Sequence, residues 1–573
     1  DVYKRQVLLT KSFDMTTLDI ITIVLFSLGV VLVGLAFSQK GKSMQSFFAA
    51  NGTMPWYMSG LSLFMGFFSA GTFVVWGSIA YSMGWVSITI QWTMAIAGFI
   101  VGLLIAPKWH KTGALTAAEY IHKRLGKSTQ KIYTYLFLFI SVFLTASFLY
   151  PVAKILEVST GLPLNTCILL LGGLCILYVS AGGLWAVIST DVLQFVILTA
   201  AVIIVVPLSF DKINGVTALI EQVPDTFYNL LNDEYTFGFL VAFGIYNTIF
   251  LGGNWAYVQR YTCVKTQKDS QKVGYLFGAL YIISPVLWML PPMVYRVYDP
   301  SLSLLDAEGA YLMMCKEVLP NGLLGLMIGG MIFATTSALN SKLNIASGVI
   351  TNDIFKNLRP KSSDRTLMYV ARISTILFGV FSILIAMLIP KMGGVVNVVI
   401  SLAALTGVPL YLPIIWTLFS KRQTATSNIT TTLLSLAING LFKFITPLMG
   451  FSLNRAEEMI LGVTFPILCL AIFEIYYKAK NKESEKYQSY LIWNKENNAR
   501  KLKEIEENES TEKAGNNFSK RVIGYGIFAS GAGIAILGGM ADNGQKLIIT
   551  TGVVFALLGL LMTRKSKPTI SKD

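Results

Sequence analysis

Apolar residues in this chain gather into runs of about twenty, separated by short polar stretches. They lie at 18–38, 56–81, 84–106, 130–155, 163–181, 184–208, 237–259, 270–296, 322–353, 366–390, 395–419, 425–447, 459–477, 522–541 and 546–563. About twenty residues of helix match the roughly 30 Å hydrocarbon core of a bilayer, so each run predicts a membrane-crossing helix. Two of the runs are interrupted. Within 56–81 the chain reads Gly66-Phe67-Phe68-Ser69-Ala70-Gly71-Thr72, and within 237–259 it reads Tyr246-Asn247-Thr248-Ile249-Phe250-Leu251-Gly252-Gly253-Asn254. In lipid, backbone released from helical hydrogen bonding is tolerated only where it is buried in protein or lines a cavity. Interrupted helices at matching positions of two halves point to a transporter's binding site.

The loops add a direction. Lys108, Lys111, Lys123, Arg124 and Lys127 fall in one loop. Arg260, Lys265 and Lys268 share the next on that side, followed by Lys356, Arg359, Lys361 and Arg365, then Lys421 and Arg422. Loops on the opposite side carry Asp225, Asp233 and Glu234, then Asp299, Asp306 and Glu308. Positive charge concentrates on the cytoplasmic side of membrane proteins, so the pattern predicts an outside N-terminus and a cytoplasmic C-terminus. The net charge of +15 therefore reflects loop asymmetry and not a nucleic-acid surface. At 54% hydrophobic and 13% charged residues, the composition is that of a polytopic membrane protein. Five cysteines without a CxxC pair imply buried thiols and no metal site. No cleavable leader is recognisable, and the stretch 1–14 before Met15 is expected to be extraneous or disordered. The stretch 478–521, rich in Lys, Glu and Asn, reads as a solvated cytoplasmic helix or linker. The Gly- and Ala-rich pair within 522–573 reads as a peripheral hairpin.

Ionisable groups inside spans are expensive and are candidate sites. Asp191 lies about two turns into the sixth span, where a carboxylate suits Na⁺ or a proton, or else a hydrogen bond to a neighbouring helix. Arg372 and Lys154 sit nearer span ends, where snorkelling accounts for them. His110 and His122 both fall in the basic loop, so no histidine stands at the midplane. The ninth span carries Ala334-Thr335-Thr336-Ser337-Ala338-Leu339-Asn340-Ser341-Lys342-Leu343-Asn344. Its hydroxyls suit a hard cation, and they equally suit close helix packing. Ser337, Asn340 and Ser341 share one helical face.

Three stretches resemble the sodium:solute symporter family, which contains Na⁺/sugar, Na⁺/proline and Na⁺/sialic-acid symporters. The first is Gly182-Gly183-Leu184-x-Ala186-Val187-x-x-Thr190-Asp191-Val192-x-Gln194. The second runs from Ala114 to Gly126, and the third is Asn254-x-x-Tyr257-Val258-Gln259-Arg260. The likeness extends from about residue 18 to 477. It implies an all-α polytopic membrane protein with a LeuT-like 5+5 inverted repeat. Repeat one would occupy 56–208 and repeat two 237–419, joined by an extracellular loop at 209–236. One extra helix (within 15–55) precedes them and about four follow, two within 420–477 and two in the final hairpin.

The resemblance also implies sites. Sodium would take the backbone carbonyls of Met65, Phe68 and Ala334 with the hydroxyl of Ser337, while Ala338 stands where relatives usually supply a second hydroxyl. Some relatives bind a further Na⁺ through positions equivalent to Asp191, Ser337, Asn340 and Ser341. At substrate positions the chain offers Ser69, Thr72, Gln91, Asn247, Phe250 and Tyr281. Ser69, Thr72 and Gln91 are similar to the sialic-acid branch, but 130–155 lacks the arginine with which that branch holds a carboxylate. A buried anion without a cationic partner binds poorly, so a neutral polyhydroxylated solute is expected. Phe73, Phe250 and Trp255 are expected to pack, with Asn397 and Ser401 as weaker pocket candidates. The implied activity is Na⁺-driven uptake by alternating access at a bacterial inner membrane, without an obligate protein partner. One Na⁺ crossing 100 mV releases about 2.3 kcal/mol, which supports roughly fiftyfold accumulation of a neutral solute. Sialic acid, another carboxylate or an amino acid is the alternative cargo. An enzyme would need a catalytic cluster, and none appears in the sequence; the alternatives from another class are a membrane sensor, which would need an output domain, and a channel, which would need a filter.

Overall fold

The computed structural model describes residues 15–38, 52, 54–114, 116–178, 184–355, 358–359, 361–507 and 509–563. The expected extraneous stretch 1–14 lies outside them. The described chain is helical, with one isolated bridge between Met54 and Val264. In chain order the helices are α1 (Thr17–Ser38), α2 (Trp56–Met65), α3 (Gly77–Met83), α4 (Val86–Lys111), α5 (Ala117–Leu125), α6 (Lys127–Thr160), α7 (Leu164–Tyr178) and α8 (Leu184–Lys212). The second half contains α9 (Phe237–Gly253), α10 (Trp255–Thr262), α11 (Gln267–Tyr298), α12 (Ala310–Val318), α13 (Leu323–Val349), α14 (Asp364–Leu388) and α15 (Gly394–Phe419). After these come α16 (Ala425–Met449), α17 (Arg455–Ala479), α18 (Glu485–Glu507), α19 (Glu509–Gly539) and α20 (Gln545–Thr563). A helix thus stands at every predicted apolar run. Ten are long and apolar enough to cross a membrane among the described residues, or eleven with α9 and α10 as one bent span.

Local chemistry sets where these helices start. Thr116 accepts the Glu119 N–H at 3.1 Å, an acidic residue opens α5, and His122, Lys123 and Arg124 close it. Charges placed this way complement the helix dipole. The N-terminus of α13 is capped from a distance. Asp19 of α1 accepts from Gly322 N at 2.7 Å and Gly325 N at 2.9 Å, a buried anion against helix-end donors. On the same side of the molecule, Glu308 accepts from Tyr150 of α6 at 2.7 Å and from the Val395 N–H of α15 at 2.8 Å. It ties the segment before α12 to two core helices.

Where α4 crosses α11, glycine meets glycine. A Cβ on Gly98 would stand 2.7 Å from Gly278 N, and one on Gly274 would stand 2.5 Å from the Gly102 Cα. Gly98 and Gly102, like Gly274 and Gly278, are four residues apart, the small-xxx-small spacing that lets membrane helices touch through backbone. The final hairpin follows the same rule at seven-residue spacing. A Cβ on Gly524 would lie 2.8 Å from Gly559 O, and one on Gly552 would lie 2.7 Å from Gly531 O. The hairpin packs on α8 and α1.

The polar stretch read as a solvated helix or linker contains a helix that is docked. Asn494 of α18 donates to Lys111 O at 3.0 Å and to Thr112 O at 2.6 Å. Asn497 donates to Gly113 O at 2.8 Å, and Asn498 to Lys111 O at 3.2 Å. These are the carbonyls left unpaired at the end of α4. Arg124 is fully buried beneath α18, donating to Ser484 Oγ and Ser420 O, with its guanidinium 4.9 Å from the Tyr487 ring centre. Burial pushes the neighbouring Tyr120 phenol up to about 12, so it stays protonated and the contact does not titrate near neutral pH.

Candidate functional site

The first break is where the sequence puts it. The chain leaves the helical ladder after Phe64 O, which accepts from Phe67 N and Phe68 N, and re-enters it at Ser69 O, which accepts from Thr72 N at 3.0 Å. Among the described residues, no turn hydrogen bond ends on the carbonyl of Met65 or of Phe68. The Ser69 N–H turns to Thr72 Oγ1 at 3.5 Å, and the Ala70 N–H to Thr335 Oγ1 of α13 at 3.2 Å. Thr335 donates in turn to Met331 O at 2.9 Å. A π-helical turn at Thr72–Trp76 then leads into α3; such turns recur at functional sites.

The second break falls at the last residue of the stretch that the sequence marks, Tyr246–Asn254. Residues Tyr246 to Gly253 are continuous helix, and the chain bends by 61° at Asn254. Gly252 and Gly253 serve close approach instead of unwinding: a Cβ there would meet Ile105 at 2.8 Å and Tyr411 at 2.7 Å. The end of α9 is closed by side chains, with Trp109 Nε1 donating to Gly252 O at 2.7 Å and Tyr261 to Leu251 O at 3.1 Å. Asn254 supplies the stop and restart, accepting from Ala256 N at 3.0 Å and donating to the Tyr411 hydroxyl at 3.2 Å.

Between the broken segment that joins α2 to α3 and helices α4, α6, α9, α10, α11 and α15 lies a cavity of about 150 Å³. By the same measure one water needs roughly 10–15 Å³, so the space suits a solute of many atoms. All six predicted substrate residues line it: Ser69, Thr72, Gln91, Asn247, Phe250 and Tyr281. Gln91 is 2% exposed and its Oε1 has no hydrogen-bond partner among the described residues, while its Nε2 donates weakly to Ser87 O at 3.4 Å. Buried polar atoms are normally paired, so this one is poised for a ligand. Asn247 is fixed by donation to Thr93 Oγ1 at 2.8 Å. Phe250 lies 5.5 Å from Tyr246 and nearly parallel to it.

Other expected residues sit elsewhere. Phe73 packs on Tyr311 at 4.2 Å, and Trp255 stacks on Phe137 at 4.7 Å, neither of them in the lining. Asn397 donates to Met392 O at 2.8 Å, and both it and Ser401 lie outside the lining. Ser147, Phe148, Thr406 and Tyr411 line the cavity without having been singled out.

Ala334 is buried on α13 beside Thr335, so two of the three predicted carbonyl donors flank the break and the third lies next to the residue that bonds it. The side chains of Ser337, Asn340 and Ser341 lie outside the described residues. Asp191 accepts from Ser62 Oγ of α2 at 2.5 Å, and Arg260 of α10 stands 4.0 Å away. Arg260 Nε also donates to Ser62 Oγ at 3.2 Å. The carboxylate therefore joins α8 to both halves of the interrupted pair. Lys154 does not snorkel; it is 8% exposed and pairs with Glu157 at 2.9 Å. Lys342, which the sequence reading passed over among its polar neighbours, places its ammonium 4.0 Å from the Phe148 ring centre.

Comparison with known proteins agrees with this geometry. The family model described as the sodium:solute symporter family matches residues 47–434. A sodium/glucose cotransporter of Vibrio parahaemolyticus is 28% identical over 491 residues, covering 79% of this chain and 89% of its own. Sodium/glucose cotransporter 1 of Mus musculus is 26% identical, covering 70% and 68%. Among solved structures, a Na⁺-coupled sialic acid symporter in a substrate-bound outward-open state superposes with a TM-score of 0.66. It does so at 22% identity, over 81% of this chain and 98% of that one, and so shares the fold.

Proposed function

Because the chain belongs to the sodium:solute symporter family, we propose that it imports a sugar together with Na⁺ across a bacterial inner membrane by alternating access. It is a multi-pass membrane protein and a Na⁺-coupled solute symporter, not an enzyme. The sugar, the number of ions and the orientation are the proposed part. The observation that carries the sugar reading is the cavity itself, where hydroxyls and carboxamides (Ser69, Thr72, Gln91, Asn247, Tyr281) alternate with aromatic faces. Such a surface suits a polyhydroxylated ring, whose edges hydrogen-bond and whose faces are apolar. The sugar cotransporters among the relatives favour the same reading.

Na⁺ is cargo here. The carbonyls of Met65 and Phe68, which no turn hydrogen bond engages among the described residues, would hold one ion against the first break together with Ala334 and Ser337. Filling that gap would order the turn carrying Ser69 and Thr72, so that ion and sugar bind the same conformation. Coupling requires this differential affinity for one state. A second ion on Asp191, Ser337, Asn340 and Ser341 would require Asp191 to exchange its Arg260 contact for Na⁺.

The test is uptake of labelled hexoses, sialic acid and proline into proteoliposomes under an inward Na⁺ gradient. Hexose uptake should vanish when K⁺ replaces Na⁺ and when Ser337 is changed to alanine, and Asn247→Ala should raise the half-saturation concentration. Proline entering in place of hexose and sialic acid would remove the sugar assignment.

A further inference from the structure

The expectation of a neutral solute rested on α6 holding no arginine, yet the structure brings a cation to α6 from another helix. Lys342 is half-buried in α13, and its ammonium stands 4.0 Å from the centre of the Phe148 ring. Phe148 and its neighbour Ser147 belong to the cavity lining. One aromatic ring is thus shared between the solute space and a positive charge. Among the described residues no carboxylate pairs with Lys342. Among the described residues, Lys154 faces Glu157 and Arg260 faces Asp191 with Ser62, while Arg124, buried beneath α18, is held by Ser484 and Ser420.

An unmatched charge within a membrane span is costly and marks a ligand or ion path. The ring face attracts it only modestly, which leaves most of its need for an anion unmet. A flexible four-carbon stem lets the ammonium advance past the ring edge without moving backbone. We infer that Lys342 is the anion-recognising residue of the cavity, and that the preferred solute is a sugar acid, its hydroxyls on Gln91, Asn247 and Thr72 and its carboxylate directed to the Ser147–Phe148 wall.

This rests on the sugar reading, and the experiment separates the two. D-Glucuronate and D-glucose are compared as inhibitors of each other's Na⁺-driven uptake in proteoliposomes of the full chain, wild type beside Lys342→Met and Lys342→Arg. The inference expects glucuronate to act at a concentration at least tenfold below that of glucose in wild type. Lys342→Met should bring that ratio close to one and Lys342→Arg should largely preserve it. Glucose uptake with glucuronate inert, or equal potency of the two in wild type, overturns the inference and leaves the sugar reading standing, whether or not either variant folds. Failure of both compounds overturns the two together. A ratio unmoved by Lys342→Met in a protein that still transports assigns the anion preference to another residue and overturns the role of Lys342.

Discussion

The hydroxyl of Thr335 accepts the Ala70 N–H at 3.2 Å, so the ninth span holds the point at which the broken first span resumes its helix. Ala70 and Thr335 are both fully buried. Leaving such an N–H unpaired costs about 1–3 kcal/mol. Thr335→Ala should therefore raise the Na⁺ concentration for half-maximal uptake by roughly 5- to 150-fold, while Thr335→Ser stays near wild type. Sodium titration of uptake measures this, and a shift below twofold would show that the bond does not hold the turn.

Asp191 and Arg260 form a pair with Ser62 between them. Removing one partner of a buried pair strands the other at a cost of about 3–5 kcal/mol. Asp191→Asn and Arg260→Gln should each lower the melting temperature in detergent by several degrees, and the double variant should regain part of the loss. A double loss equal to the sum of the singles would mean that the two do not communicate.

At the α4–α11 crossing even one methyl group is too many. Gly98→Ala and Gly274→Ala should destabilise by about 1–3 kcal/mol, visible as reduced yield and earlier thermal aggregation. Gly440→Ala, whose Cβ would meet nothing within 4 Å, is the matched control. Comparable behaviour of all three would argue against backbone contact.

The three asparagines of α18 hold its docked position. Replacing Asn494, Asn497 and Asn498 together by alanine removes four neutral hydrogen bonds, each worth about 0.5–1.5 kcal/mol. Limited trypsin digestion should then cleave after Lys495 and Arg500 well ahead of wild type, since a released helix is open to a protease. Unchanged cleavage would mean that the aromatic contacts of Tyr487, Tyr490 and Trp493 hold α18 without the asparagines.

The sequence announced the spans because twenty apolar residues have few other uses, and it located the first break because Gly66, Ser69, Gly71 and Thr72 fall together where no packing partner is needed to read them. For the second break the sequence marked the stretch Tyr246–Asn254 without singling out its residue, for a definite reason. Glycine marks both unwound backbone and tight contact, and only the partner of Gly252 and Gly253 tells them apart. The better signal was Asn254, a good helix-starting residue. The cavity residues came from resemblance, since Gln91 and Asn247 lie far apart in the chain and nothing local joins them. Tyr487, Tyr490, Asn494 and Asn497 repeat at three- and four-residue intervals, a stripe that foretold a docked face, but the surrounding charge hid it. Lys342 was lost among hydroxyls whose packing and ion-binding uses look alike.

Where α4 lies on α11, main chain rests on main chain through Gly98, Gly102, Gly274 and Gly278. No χ angle is available there to absorb shear, so the two helices can only translate or rotate as a single strut. Rocking must then be taken up where the polypeptide is already out of helical register, at Gly66–Ser69 and at Asn254. Both articulation points adjoin the space in which the cargo rests, so occupancy and movement share their joints.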